Sequence, residues 1–340
     1  MGCNLYLGGQ AVGEAGAELL YGLENPSGKL AETYPISYQD CSSARTFGVN
    51  PRQVEYAESI YVGYRYYEKA GIPVQFPFGY GLSYTQFELS GLRLSAETLN
   101  LRGENTLTVS CTVKNTGSLM GAEVVQVYIS DLGADVFKAQ KELRGFRKVR
   151  LAPGEEREIT VTLDHRAFAH YDAERRSWEV RTGRYTIALG VSSADIRLYG
   201  EIDVLGTVTS LREPAAWYLH PTGKPSIADF EKIYGQEIQP YRVEKPGEYT
   251  LLNTFNDLRD NPVVQQIMEG MKAGILQGCG GDEANPEFLF TISIVFNTPL
   301  IRLVQQGGGA TPLAMMEAAV ECANGDQAAA VRLAAMMGAQ

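Results

Sequence analysis

Histidine and cysteine are scarce in this 340-residue chain: three histidines and five cysteines in all. Cys3, Cys41, Cys111, Cys279 and Cys322 are odd in number and widely separated, and no two have the spacing of metal ligands. Such usage reads as a reducing, cytoplasmic compartment. The lack of any Asn-x-Ser/Thr acceptor agrees with it. No basic segment with a long apolar core follows Met1, so no secretory leader is read. Long apolar runs are missing too. The best, Phe288–Val304, is broken by Asn297, Pro299 and Arg302 and falls short of the roughly 20 residues of a membrane span, so a buried helix is expected there. Basic residues are in deficit, 30 against 40 acidic, for a net charge of −10. That argues against nucleic acid or anionic membrane as partner, because both demand a basic surface.

What is present is an ordinary globular balance, 44% hydrophobic and 21% charged, in a chain long enough for two or three domains of roughly 100–200 residues each. Residues 1–40 read as one strand and helix: Asn4–Leu7 extended, Gly8-Gly9 turning, then Ala11–Tyr21 with Val12, Ala15, Leu19 and Leu20 on helical spacing. One such pair cannot bury a core alone, so the segment is expected to be the end of a larger α/β domain. Residues 41–86 read as a linker, with Ser42, Ser43, Asn50 and Pro51 followed by Tyr56, Tyr61, Tyr64, Tyr66 and Tyr67. Tyrosine at that density points to interdomain packing, with a sugar-stacking platform as the functional alternative.

Residues 87–204 carry about seven short strands, at Phe87–Leu94, Thr106–Lys114, Glu123–Ser130, Leu143–Val149, Arg157–Leu163, Trp178–Val180 and Tyr185–Val191. Leu107, Val109, Cys111 and Val113 alternate onto one face, and Asn115-Thr-Gly117, Ala152-Pro-Gly154 and Thr182-Gly183 supply turns. The pattern predicts an antiparallel β-sandwich. Residues 205–260, with Pro214, Pro221, Pro225 and Pro240, read as an extended linker. Residues 261–340 read as a helical tail with starts at Asn261-Pro262, Asn285-Pro286 and Thr311-Pro312, and a last helix over Asp326–Met337.

Three motifs carry a family likeness: Asn25-Pro-Ser-Gly-Lys-Leu30, Tyr61-Val-Gly-Tyr-Arg-Tyr-Tyr67 and Phe76-Pro-Phe-Gly-Tyr-Gly-Leu-Ser-Tyr-Thr-Gln-Phe87. Together they resemble the C-terminal half of family 3 glycoside hydrolases of β-glucosidase type. Asn261-Pro-Val-Val264 and Gly307-Gly-Gly309 are similar, more loosely, to tails of some bacterial members. The resemblance implies the end of an α/β sandwich, a fibronectin type III-like module and a helical tail. It also implies retaining hydrolysis of a terminal β-linked sugar by the whole enzyme, without a cofactor. In the family the nucleophilic aspartate lies on a preceding β/α barrel and the acid/base glutamate earlier in the α/β sandwich, so neither role is carried over to any residue here. The implied partner is that barrel with the rest of the sandwich, as upstream polypeptide or separate chain; self-association through the uncovered apolar surface is also expected.

Local titratable groups bear on that reading. A retaining site needs two carboxylates about 5 Å apart. Glu14, Glu18, Glu24, Glu32, Asp40, Glu55, Glu58 and Glu68 are the candidates, but Glu14 and Glu18 lie four apart on a helix and read as a solvated face. Glu58 reads as a structural hydrogen-bond acceptor for a tyrosine or backbone amide. Gly8-Gly9 before a helix suits an anion but lacks a P-loop lysine. His165, His170 and His220 lack a third ligand, and Asp282, Glu283, Asn285 and Glu287 read as helix N-terminal charge rather than a calcium loop. No catalytic, cofactor or metal site is assigned. The alternative to an enzyme part is a protein- or carbohydrate-binding module using Tyr61–Tyr67 and Trp178.

Overall fold

The computed structural model describes residues 3–48, 53–103, 105–133, 137–172, 175–210, 216–240, 242–306 and 312–338. Asn50, Pro51, Pro214, Gly307–Gly309 and Thr311 lie outside them. The chain divides into two units, Met1–Gln239 and Pro240–Gln340.

The first unit opens on helix α1 (Val12–Leu20), where Gly16 alone is buried. Asn4–Leu7, expected as a strand, is irregular. Leu7 is fully exposed. An isolated extended segment has no ladder to satisfy its backbone, so apolar residues alone do not make a strand. The expected linker is more ordered than its composition indicates. Strand β1 (Tyr34–Pro35) pairs with β2 (Val74–Phe76), and helix α2 (Tyr64–Ala70) ends on Gly71 in the left-handed conformation.

The sandwich is built from two sheets. One has the order β4 (Thr98–Asn100), β12 (Ile196–Leu205), β11 (Gly183–Gly190), β6 (Gly121–Asp131), β7 (Glu142–Leu151); the other is β3 (Phe87–Leu94), β5 (Leu107–Asn115), β8 (Glu156–Leu163). Neighbours are antiparallel except the short β4–β12 pair. The period-two reading of β5 holds: Leu107, Val109, Cys111 and Val113 are all buried. They meet Val125, Val127, Tyr185, Ile187, Ile202 and Val204 of the facing sheet. Three strands were not anticipated. β4 and β9 (His170–Asp172) are only three residues long, and β9 pairs with β10 (Ser177–Glu179) as a separate ribbon beside the short helix α3 (His165–Phe168). β12 is long, with Ile202 and Val204 inward and Tyr199, Glu201 and Asp203 outward.

Helix α4 (Ile227–Tyr234), capped by the Ser226 side chain on Asp229 N–H, lies in the stretch expected to be extended. The second unit begins at Pro240, earlier than the residue 261 that the helix signals suggest. The reason is packing: Tyr249, Leu251, Phe255 and Leu258 join its core, the last two on the short helix α5 (Phe255–Leu258). Helix α6 (Pro262–Gly278) is capped by Asn261, whose Oδ1 accepts from Val263 and Val264 N–H. The expected single helix over Phe288–Val304 is two, α7 (Pro286–Asn297) and α8 (Leu300–Gln306), bent by 119° at the break. Pro299 removes a donor and ends the helix before it. Nor is α7 buried, since Leu289, Phe290 and Ile294 are exposed. No single described helix is long and apolar enough to cross a membrane. Helices α9 (Leu313–Ala323) and α10 (Gln327–Gly338) complete the unit around Met316, Ala319, Ala329 and Leu333.

Candidate functional site

The three motifs meet in one seam. Asn25 is its organiser: Nδ2 donates to Met120 O at 3.0 Å, while Oδ1 accepts from Ser83 Oγ at 2.9 Å and Tyr84 N–H at 2.8 Å. Leu30 N–H donates to Tyr80 O, and Gly79 N–H donates back to Leu30 O, both at 2.8 Å. The turn then fastens to the sandwich. Gln126 Nε2 donates to Gly79 O at 3.1 Å and Val191 O at 2.8 Å, and its Oε1 accepts from the Tyr128 hydroxyl at 2.6 Å. Ser193 N–H donates to Phe78 O at 2.9 Å, and Lys29 Nζ sits 2.8 Å from the Glu123 carboxylate. This explains the glycines. Gly79 has φ +78° and a Cβ there would overlap the Gln126 amide; one on Gly81 would overlap Gly28 O.

Four of the five tyrosines of the cluster are packed away, and Tyr56 is exposed. Tyr61, Tyr64, Tyr66 and Tyr67 are all buried. The Tyr61 hydroxyl donates to Tyr218 O, and Tyr218 OH donates to Ala57 O at 2.7 Å. Tyr64 stacks on Phe78 with centroids 4.7 Å apart, and its oxygen accepts from Leu143 N–H at 2.9 Å. Burial raises the pKa of all four phenols. These rings offer no face to a sugar. Trp178 is 38% exposed but partly occupied: Tyr171 meets it edge-on and the Arg166 guanidinium lies 3.6 Å above its ring.

Carboxylates border two hollows, one beside the aromatic turn at Pro77, Tyr80 and Ser83 and one on the outer face of the five-stranded sheet, and they are engaged. Asp131 holds Arg181, with Nε at 2.9 Å from Oδ2, and its side chain is 1% exposed. Glu201 has Arg184 at 3.5 Å. Glu123 takes Lys29, and Asp195 takes Arg197, which holds the Asp195 carboxyl below its ordinary range. Glu68 is shifted upward by burial, yet Lys141 at 2.7 Å and Ser193 favour its charged form. Glu58 is buried, and Tyr61 N–H donates to its main-chain oxygen at 3.0 Å. Glu14 is exposed and Glu18 half-exposed on α1. His170 is held below 6.5 by burial and then by the Lys138 charge. Among the described residues no three side chains are placed to hold a metal ion. Asn285 Oδ1 accepts from Glu287 N–H, Asp282 Oδ1 from Ala284 N–H, and Glu283 pairs with Lys272, so that loop caps α7.

The seam lies in a part of the chain shared with known proteins. Residues 4–84 match the glycosyl hydrolase family 3 C-terminal domain, and residues 123–193 the fibronectin type III-like domain. The chain carries the C-terminal domain region of family 3 glycoside hydrolases. Thermostable β-glucosidase B of Acetivibrio thermocellus is 47% identical over 203 residues, 60% of this chain and 27% of that protein. An exo-α-(1→6)-L-arabinopyranosidase of Bifidobacterium breve is 44% identical over 191 residues, 56% of this chain and 25% of that protein. Among solved structures, the family 3 β-glucosidase of Bifidobacterium adolescentis superposes with a TM-score of 0.57 at 35% identity, covering 78% of this chain and 33% of that one. β-Glucosidase 3B of Thermotoga neapolitana gives 0.54 at 41% identity, covering 59% and 27%. The chain thus spans about a quarter of the length of the curated relatives it matches.

Within this family 3 region the three motifs act as fasteners. The side-chain polar atoms of Asn25 and Gln126 bond backbone or a neighbouring side chain. Near-equal likeness to a β-glucosidase and an arabinopyranosidase fits that role, because a fastening seam has no reason to differ with the sugar. Sequence reasoning missed Gln126, a lone amide inside an apolar strand pattern. Its only signal was that polar interruption of Val124-Val-Gln-Val-Tyr128.

Proposed function

We propose that this chain is the C-terminal, non-catalytic part of a β-glucosidase-type family 3 enzyme, with hydrolysis residing on a barrel-bearing polypeptide with which it works. One observation carries the reading. The family 3 motifs are folded here into a hydrogen-bonded seam that joins the end of the α/β domain to the sandwich, while the carboxylates at the hollows are paired with bases. An acid/base pair for retaining hydrolysis needs one carboxyl kept protonated near neutrality and a second kept ionised nearby.

The exposed apolar side chains Leu7, Leu20, Tyr21, Leu23, Phe47 and Tyr56 support a partner surface for the rest of the α/β domain. Left uncovered, the same surface favours self-association. A reducing, cytoplasmic setting suits the five free cysteines. The test is an assay of the purified chain on an aryl β-glucoside, alone and mixed with a barrel-bearing family 3 fragment. Silence alone with turnover on mixing supports the reading. Turnover by the chain alone, abolished by a point change within it, refutes it.

A further inference from the structure

A second hollow borders the seam, since Ala188 and Ile196 on its lining pack with Tyr64 and Phe78. It is a cleft of about 790 Å³ on the outer face of the five-stranded sheet, within the 300–1,000 Å³ of small-ligand sites. Register places its floor. Glu201 on β12 lies opposite Thr186 on β11, and Thr186 opposite Ser130 on β6, giving a row of carboxylate and two hydroxyls across three strands. Adjacent strands lie about 4.8 Å apart, close to the span between opposite hydroxyls of a pyranose ring. One step along, Tyr199 is paired with Ala188, and its ring is 67% exposed. Gln140 and Lys141 form the wall.

The charges around this cleft are spent, Lys69 on its lining included. Asp131 holds Arg181, Lys141 is tied to Glu68, and the Lys138 amine turns inward to Phe168 O at 3.3 Å and the Tyr185 ring. A phosphate or nucleotide would find no concentrated positive charge. What remains is an open aromatic face beside groups that donate and accept hydrogen bonds. A sugar ring, with an apolar C–H face and a rim of hydroxyls, is complementary to that set.

We propose that the cleft around Tyr199 is a non-catalytic binding site for a short neutral oligosaccharide. The floor row takes hydroxyls and the Tyr199 ring takes one face of a sugar. The full chain is titrated with cellotriose, xylotriose and maltotriose, following saturation-transfer NMR and calorimetry. At least one triose binds saturably with Kd on the order of 1 mM. Tyr199→Ala weakens it about tenfold or more, Tyr199→Phe keeps it, and Phe146→Ala, an exposed ring on β7, leaves it unchanged. The proposal fails if none of the three binds saturably, if Tyr199→Ala binds as well as the parent, or if glycerol at matched hydroxyl concentration displaces the triose. Binding is read without turnover, so failure here leaves the reading of the preceding section standing.

Discussion

The contact between Gly79 and Gln126 yields a quantitative test of the seam. Gly79→Ala forces a left-handed conformation on a residue with a Cβ, costing about 1–2 kcal/mol. Its methyl also displaces the Gln126 amide. Gln126 is 3% exposed and serves Gly79 O, Val191 O and Tyr128 OH. Stranding buried groups costs about 1–3 kcal/mol each, so losing this set costs about 3 kcal/mol. Gly79→Ala should therefore cost about 4 kcal/mol and Gln126→Ala about 3. The double variant should cost only about 4, because the bonds broken by the methyl are already gone. Coupling of about 3 kcal/mol lies at the top of the range for touching residues. Urea unfolding followed by tryptophan fluorescence is the assay. Trp178 and Trp217 both belong to the first unit, so the signal does not report unfolding of the second. Strict additivity of the two substitutions would refute the argument.

Further tests address other parts of the fold. Asp131→Asn leaves the partly buried Arg181 without its ionised partner and should destabilise the first unit by about 3 kcal/mol in the same assay, while Glu201→Gln on the exposed pair should change it by less than about 0.5. His170 has a folded pKa below its unfolded 6.5, so the unfolded chain takes up more protons as pH falls; the His170 contribution to stability should be flat above 6.5 and decline below it, and His170→Gln should remove that part of the pH dependence. Asn261→Ala removes the cap of α6 and the bond from Nδ2 to Cys322 O, and should cost the second unit about 1–2 kcal/mol by far-UV circular dichroism. Tyr61→Phe should cost the first unit about 1–2 kcal/mol, because the buried Tyr218 carbonyl loses its donor.

Local chemistry could be read from the chain wherever a short pattern dictated it. The alternation in β5, the Asn-Pro starts of α6 and α7, and the glycine-bearing aromatic turn each state a backbone preference in a few residues. Errors arose where a neighbour decides. Asn4–Leu7 has strand-forming residues but no partner strand. Residues 249–258 look like loop, yet Tyr249, Leu251, Phe255 and Leu258 complete a helical core. Tyr61–Tyr67 announces aromatic packing by density alone, but only the fold shows the hydroxyls turned inward and Trp178 partly covered by Arg166.

The family likeness, the sandwich and the helical tail were legible in the order of residues alone, because periodicity, caps and turn glycines are properties of adjacent residues. Tertiary structure decided which polar groups are spent and which remain open. Gln126 and Tyr199 both interrupt or decorate strands, and nothing local separates them. Register and packing tie Gln126 into the seam and leave the Tyr199 ring bare, since burial and hydrogen bonding depend on what distant segments bring alongside.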